Sequence, residues 1–238
     1  MVDYIDCGDC LELMKEMEDH SVDYVFTSPP YNDAGNDKDS VWHNKHQKYS
    51  SPEKYDDYFE WLCERIDEMI RVTRKCVMVN IQGLTTNRKC LYSIIGRYAD
   101  RIHDIIIWNK TNPCPTSTPH KISNAYEMVL LIKPDGVKGV DVNTKSYYTN
   151  VITLPVNSNN KYSNIHRAVM STDFCMEIIR EFTDSDSVVL DPFMGLGTTA
   201  ICCKKLGRHY IGFEISKDYV EVSLERIKEE CAKEMLWN

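Results

Sequence analysis

The chain has 238 residues, 42% of them hydrophobic and 27% charged, with a mean hydropathy of -0.42, which fits one large soluble domain spanning 1–238 and leaves little length for a second. Its 28 Lys and Arg against 36 Asp and Glu give a formal charge of -8, which excludes a protein that coats nucleic acid by bulk attraction and leaves local basic patches as the only route to it. No apolar run reaches membrane-spanning length, and Met1 to Asp6 lacks the basic-then-apolar layout of a secretion signal, so an intracellular, cytoplasmic protein with no membrane partner is expected.

Tyr4-Ile5-Asp6 reads as a short strand, Leu11, Leu13, Met14 and Met17 as the apolar face of a helix, and Val22 to Phe26 as the next strand. That strand runs into Thr27-Ser28-Pro29-Pro30-Tyr31. Two consecutive prolines can neither continue a central strand nor open a helix interior, so they stiffen an extended turn at the sheet's edge. Residues 32–54 are polar and aperiodic, which predicts a long mobile loop on the catalytic side; Trp42, His43, Lys45, His46, Lys48, Tyr49 and Lys54 make it the main basic and aromatic stretch.

Tyr55, Phe59, Leu62, Ile66, Met69 and Ile70 recur at helical spacing, followed by a strand at Cys76 to Ile81, a helix at Leu91 to Tyr98 and strands at Ile105 to Trp108 and Met128 to Ile132. Pro113, Pro115 and Pro119 mark a rigid surface connection between the last two. Residues 133–163, rich in Gly, Asn, Ser and Tyr, show no helix and read as a small insertion on the core. A helix at Phe174 to Phe182, a strand at Val188 to Leu190, a helix at Thr199 to Leu206, a strand at His209 to Phe213 and a closing helix at Lys217 to Lys233 complete the chain. Alternating helices and short apolar strands imply an α/β fold with a mainly parallel sheet covered on both faces, whose ligands collect at the carboxyl ends of the strands.

Ten cysteines are scattered through strand-like and helix-like segments, the pattern of reduced, buried thiols. Cys7-Gly8-Asp9-Cys10 has the spacing of half a zinc site, but no second matched pair follows and no metal is expected.

Two segments carry chemistry. In Asp191-Pro192-Phe193-Met194-Gly195-Leu196-Gly197-Thr198-Thr199, Asp191 ends a strand, Gly195 and Gly197 let the backbone pass close to a nucleoside, and Thr198-Thr199 open a helix. The loop lacks the lysine of a phosphate-binding loop, which argues against a nucleotide triphosphatase. Glu214 ends the following strand about 20 residues on, the interval at which an acidic side chain meets ribose hydroxyls. Asp191 capping a helix and Glu214 on a solvated turn are the plain alternatives. The other segment, Ser28 to Tyr31, suits a planar amine. The Ser28 hydroxyl and the Pro29 carbonyl each accept one N–H and draw the nitrogen toward tetrahedral geometry, Tyr31 stacks on the base, and Pro30 holds the turn. Together they describe a methyl-transfer site that works mostly by positioning.

With these motifs in this order the chain resembles the beta-class DNA amino methyltransferases, in which a Ser/Asp-Pro-Pro-Tyr motif precedes the cofactor loop. The match runs from Gly8-Asp9-Cys10 and Ser21-Val22-Asp23 through Thr27 to Asn32, Trp108-Asn109-Lys110, Glu127 to Lys133 and Asp191 to Thr199, ending with Gly207-Arg208 through Glu214 to Tyr219. The resemblance implies a Rossmann-like methyltransferase fold whose sheet has seven strands, one of them antiparallel, with helices on both faces. It implies S-adenosylmethionine as cofactor, with Phe193 and the glycine loop beside its methionine part, Glu214 on the ribose and Asp9 near the adenine, and DNA as partner with the target base flipped out. It also implies homodimerisation; a cognate restriction enzyme is not inferable from the residues. Two departures stand out: the family's His-Pro is His166-Arg167 here, and its glycine-serine-glycine is Gly195-Leu196-Gly197.

Ser28 in the first motif position resembles N4-cytosine enzymes and makes cytosine N4 the expected target, with adenine N6 as the alternative. Methylation of RNA or of a glutamine amide uses related grips, but in the glutamine enzymes the cofactor loop comes first. A silent DNA-binding module is opposed by the intact Ser28 to Tyr31. DNA recognition is expected from residues 32–54, 113–121 and 133–163, with 133–163 the candidate target-recognition insertion.

Overall fold

The structure is a computed structural model, and it describes residues 1–31, 52, 55–84, 87–113, 120, 122–156 and 169–232. The basic loop read at 32–54, Pro115, Pro119 and the His166-Arg167 departure therefore lie, wholly or nearly so, outside the described residues.

Eight strands form one sheet: β1 (Tyr4–Cys7), β2 (Val22–Thr27), β3 (Thr73–Ile81), β4 (Ile102–Lys110), β5 (Tyr126–Ile132), β6 (Val151–Leu154), β7 (Val188–Asp191) and β8 (His209–Glu214). Their order across the sheet is β1-β8-β7-β2-β3-β5-β4-β6. Every pairing is parallel except those of β5, which runs antiparallel to both neighbours. The single reversed strand is thus as expected, while the count of seven is corrected to eight. The added strand is β6, inside the segment read as an insertion. Four residues with Ile152 inward and Val151 outward are too few for a periodicity to register. It is held at the edge by parallel pairing to β4 and by the Trp108 indole N–H donating to the Leu154 carbonyl at 3.0 Å.

Six helices cover the two faces: α1 (Cys10–Lys15), α2 (Tyr55–Val72), α3 (Arg88–Arg97), α4 (Thr172–Phe182), α5 (Thr198–Lys205) and α6 (Lys217–Ala232). Strand alternation sorts the side chains between them. Val22 and Val25 of β2 with Val77, Val79 and Ile81 of β3 pack under α1, α2 and α3, against Met14, Leu62, Ile66, Met69, Leu91 and Ile94. Tyr24, Phe26, Cys76 and Met78 from the same strands face Phe174, Ile178, Ala200, Ile201 and Ile227 of α4, α5 and α6. Phe174 also lies flat on Trp108, with centroids 4.4 Å apart. Such two-sided burial explains why the central strands read as continuous apolar runs.

The topology places the site. From β7 the chain passes through α5 to β8 on one side; from β2 it passes through α2 to β3 on the other. β2 and β7 are adjacent and parallel, with Tyr24 opposite Val189 and Val25 opposite Leu190. The order reverses between them, which opens a crevice at their carboxyl ends.

Candidate active site

Both decisive segments leave the sheet at that crevice, and one side chain joins them. The Asp191 carboxylate, 3% exposed, accepts the Thr27 hydroxyl at 2.6 Å, the Thr199 hydroxyl at 2.6 Å and the Phe193 N–H at 3.0 Å. Burial pushes its pKa up, and those three donors oppose the shift. Thr27 immediately precedes Ser28, so the proline turn and the glycine loop are tied one residue from the first motif position.

On the cofactor side, Gly195 and Gly197 have φ of +53° and +78°, the left-handed region that favours glycine. A Cβ on Gly197 would stand 3.1 Å from Ser223 Cβ and 3.3 Å from Ile227 Cδ1, so α6 packs directly on the bend. Glu214 spans the loop, its two oxygens accepting the Gly195 N–H at 2.8 Å and the Ser216 N–H at 2.9 Å. Burial raises its pKa, these two N–H groups opposing and the Asp191 charge adding to it. Asp9 sits at the same edge, because Cys7 of β1 is in register with Glu214. It caps α1 through the Leu11 N–H at 2.8 Å and holds the Arg65 guanidinium at 3.0 and 3.1 Å.

Of the expected cofactor residues, Asp9, Phe193, Gly195 and Glu214 remain partly accessible at the crevice. Asp191, Thr198 and Thr199 are turned inward. The Thr198 hydroxyl accepts from Arg226 at 2.9 Å, and that guanidinium, 1% exposed, also donates to the Leu196 carbonyl at 3.1 Å. These three therefore shape the loop from behind. Two carboxylates, an aromatic ring and a bend without side chains, with no lysine, suit a hydroxyl-rich nucleoside lacking phosphates.

Helix α2 supplies three residues whose role the sequence reading missed. The Tyr58 hydroxyl donates to the Pro30 carbonyl at 3.0 Å, Trp61 stacks on Tyr58 at 5.8 Å and meets Phe193 at 5.7 Å, and the Arg65 guanidinium lies 4.1 Å over the Trp61 ring. They form a wall from the proline turn past Phe193 to Asp9. Their i, i+3, i+7 spacing was available as a second stripe beside the core-facing one.

The substrate side is a buried polar row along the carboxyl edge. The Tyr31 hydroxyl lies 3.3 Å from Ser28 Oγ and donates to Glu127 Oε2 at 3.0 Å. Asn80 Nδ2 donates to the same Glu127 oxygen at 2.6 Å and reaches Ser28 Oγ at 3.4 Å. Lys110 pairs with Glu127 Oε1 at 2.5 Å and lies 5.1 Å over the Trp108 ring. Burial and the Glu127 charge hold the Tyr31 phenol well above its ordinary pKa, so it stays a donor. Asn80 Oδ1 is buried without a partner among the described residues. A buried acceptor left unpaired is costly, and beside Ser28 it suits a ligand that brings N–H groups.

A family model described as a DNA methylase, N6_N4_Mtase, matches residues 22–225. The chain belongs to this family. The type II methyltransferase M.HinfI of Haemophilus influenzae is 26% identical over 249 residues, covering 93% of this chain and 67% of that protein. The solved structure of the cytosine-N4-specific PvuII DNA methyltransferase matches with a TM-score of 0.73 at 19% identity, over 97% of this chain and 91% of that one. The DNA modification methylase TTHA0409 of Thermus thermophilus, complexed with S-adenosyl-L-methionine, matches with a TM-score of 0.66 at 19% identity, over 96% and 94%. These two likenesses establish a shared fold.

Among the described residues of this N6_N4_Mtase member no His, Cys, Asp and Glu cluster is placed to hold a metal, and no helix is long and apolar enough to cross a membrane. The described cysteines are free and mostly buried; burial pushes the Cys10 thiol up to about 12, which keeps it protonated and unreactive.

Proposed function

We propose that this DNA methylase transfers a methyl group from S-adenosylmethionine to the exocyclic amine of a base flipped out of DNA, with cytosine N4 as the target. The observation that carries the proposal is the 2.6 Å bond from Thr27 to Asp191, which joins the amine-binding turn to the nucleoside loop at the switch point of the sheet. S-adenosylmethionine, when bound, supplies a methyl group on a positively charged sulfur. Phe193 and the Gly195 to Gly197 bend hold its methionine part, Glu214 accepts from the ribose hydroxyls and Asp9 accepts from the adenine amine. Asp191, Thr198 and Thr199 keep the loop in shape.

On the other side Ser28 Oγ and the Pro29 carbonyl accept the two N–H bonds of the target amine, and Tyr31 lies against the base. Pairing both N–H bonds localises the nitrogen lone pair, and the fixed turn aims it at the methyl; such orientation contributes about 7–11 kcal/mol in the best intramolecular systems. Cytosine is preferred because Ser28 occupies the first position of the motif, as in the N4-cytosine enzymes that the chain resembles.

Purified protein incubated with labelled S-adenosylmethionine and unmethylated phage DNA is expected to yield N4-methylcytosine on enzymatic digestion and chromatography. N6-methyladenine as the sole product would replace cytosine by adenine. Wild-type turnover in Ser28→Ala would remove the assigned grip.

A further inference from the structure

We infer that Glu127, held by Lys110, is a positioning residue that directs a hydrogen-bond chain through Tyr31, so that the Ser28 hydroxyl turns a lone pair, not its proton, toward the target amine. This rests on the proposed grip and extends it to two residues outside the Pro-Pro-Tyr motif.

A serine hydroxyl is ambivalent: it donates one hydrogen bond and accepts two. To draw on an amine N–H it must act as acceptor, and something has to hold its proton elsewhere. A carboxylate only accepts. Glu127 Oε2, 3.0 Å from the Tyr31 hydroxyl, therefore takes the phenolic proton and leaves the phenolic oxygen as an acceptor. The neighbour that can fill it is the Ser28 hydroxyl at 3.3 Å. With its proton committed to Tyr31, Ser28 Oγ keeps two lone pairs. Asn80 Nδ2 approaches one at 3.4 Å, and the other is left for the target N–H.

The orientation of Asn80 depends on the same carboxylate. Its Nδ2 donates to Glu127 Oε2 at 2.6 Å, so a reversed amide would set oxygen against oxygen. Lys110 completes the device. Its side chain and that of Glu127 are 10% and 11% exposed, and their 2.5 Å contact keeps the carboxylate charged away from water. An aspartate at position 28 would be an acceptor by its own charge and would need no such direction. The Glu127 row thus supplies at a distance what serine lacks.

The test uses full-length protein, labelled S-adenosylmethionine and unmethylated phage DNA, with single-turnover rates, cofactor Kd by calorimetry and thermal unfolding measured for each variant. In Glu127→Gln the amide can donate to Tyr31 and reverse the chain; the expected result is a loss of about 100-fold in rate, the scale of one misdirected hydrogen bond in an active site, with the cofactor Kd unchanged. Tyr31→Phe combined with Glu127→Gln is expected to be no slower than the slower single variant, because both break the same chain. Adding Ser28→Asp to Glu127→Gln is expected to recover at least tenfold of the lost rate, which a merely structural role of Glu127 would not allow. An unchanged rate in Glu127→Gln, or no recovery with Ser28→Asp, overturns the inference. If Ser28→Ala itself retains full rate, the proposed grip fails first, and the two failures are told apart.

Discussion

Replacing Thr27 by valine tests the tie between the two halves of the site. The change keeps the shape of the side chain and removes one hydroxyl, which donates to Asp191 at 2.6 Å in a place where Thr27 is 0% and Asp191 3% exposed. A buried hydrogen bond to a charged group contributes about 1.5–3 kcal/mol, so a loss of about 2 kcal/mol is expected. With unfolding entropy near 2.1 cal/mol/K per residue, 238 residues give about 0.5 kcal/mol/K, and Tm should fall by about 4 °C. Thr199→Val is the matched control. It removes a bond of the same length to the other oxygen of the same carboxylate, yet that bond stays within the segment joining β7 to α5. Both variants should lose similar stability by calorimetry. Only Thr27→Val frees the amine-binding turn from the nucleoside loop, and a misplacement near 1 Å costs about 100-fold; its single-turnover rate should therefore fall at least tenfold below that of Thr199→Val. Equal rates in the two variants, or a wild-type Tm in Thr27→Val, would refute the reasoning.

Gly197→Ala combines a φ of +78° with a Cβ 3.1 Å from Ser223 Cβ, and should lower stability by about 1–3 kcal/mol in urea unfolding as α6 is pushed away. Tyr58→Phe removes the donor to the Pro30 carbonyl; a loss of about 1 kcal/mol in the same assay is expected, with little change in cofactor affinity. Glu214 has a folded-state pKa above the ordinary 4.5, so this carboxyl favours the cofactor-free fold most when protonated, below pH 4.5, and that contribution is lost as pH rises through its folded pKa. Binding runs the other way: ribose hydroxyls need the ionised form, so affinity measured by calorimetry should start to fall at a pH above 4.5 on acidification, and Glu214→Gln should flatten this dependence.

The order of helices and strands is legible from periodicity because both faces of the sheet are covered and the central strands are uniformly apolar. The proline turn and the glycine bend are legible because proline and glycine act on the local backbone. What escapes is whatever depends on register or on the azimuth of a side chain. Asn80 lies inside Val77-Met78-Val79-Asn80-Ile81 and reads as core; only the pairing of β3 with β5 brings it to Glu127. Glu127 and Lys110 belong to stretches that carry the family resemblance, yet their contact follows from the hairpin in which Trp108 faces Glu127. Thr198 and Thr199 are adjacent in sequence but about 100° apart around a helix, and the turn sends one hydroxyl to Arg226 and the other to Asp191.

The reversed strand explains how Ser28 comes to share the site with a carboxylate far along the chain. In a parallel sheet each strand brings only its last residues and the loop beyond to the ligand edge. β5 runs the other way and brings its first residues there, so Glu127, second in the strand, stands on rigid backbone where a parallel strand would offer a loop. Its neighbours deliver Asn80 from β3 and Lys110 from β4 to the same edge at their carboxyl ends. On the far side of β2 all strands are parallel, and their ends carry the bend and the carboxylates that suit a nucleoside. The sheet therefore divides the work at β2, and the Thr27 to Asp191 bond is the seam: a donor-side loop that tolerates substitution behind it, joined to an acceptor side whose polarity is set by one strand running backwards.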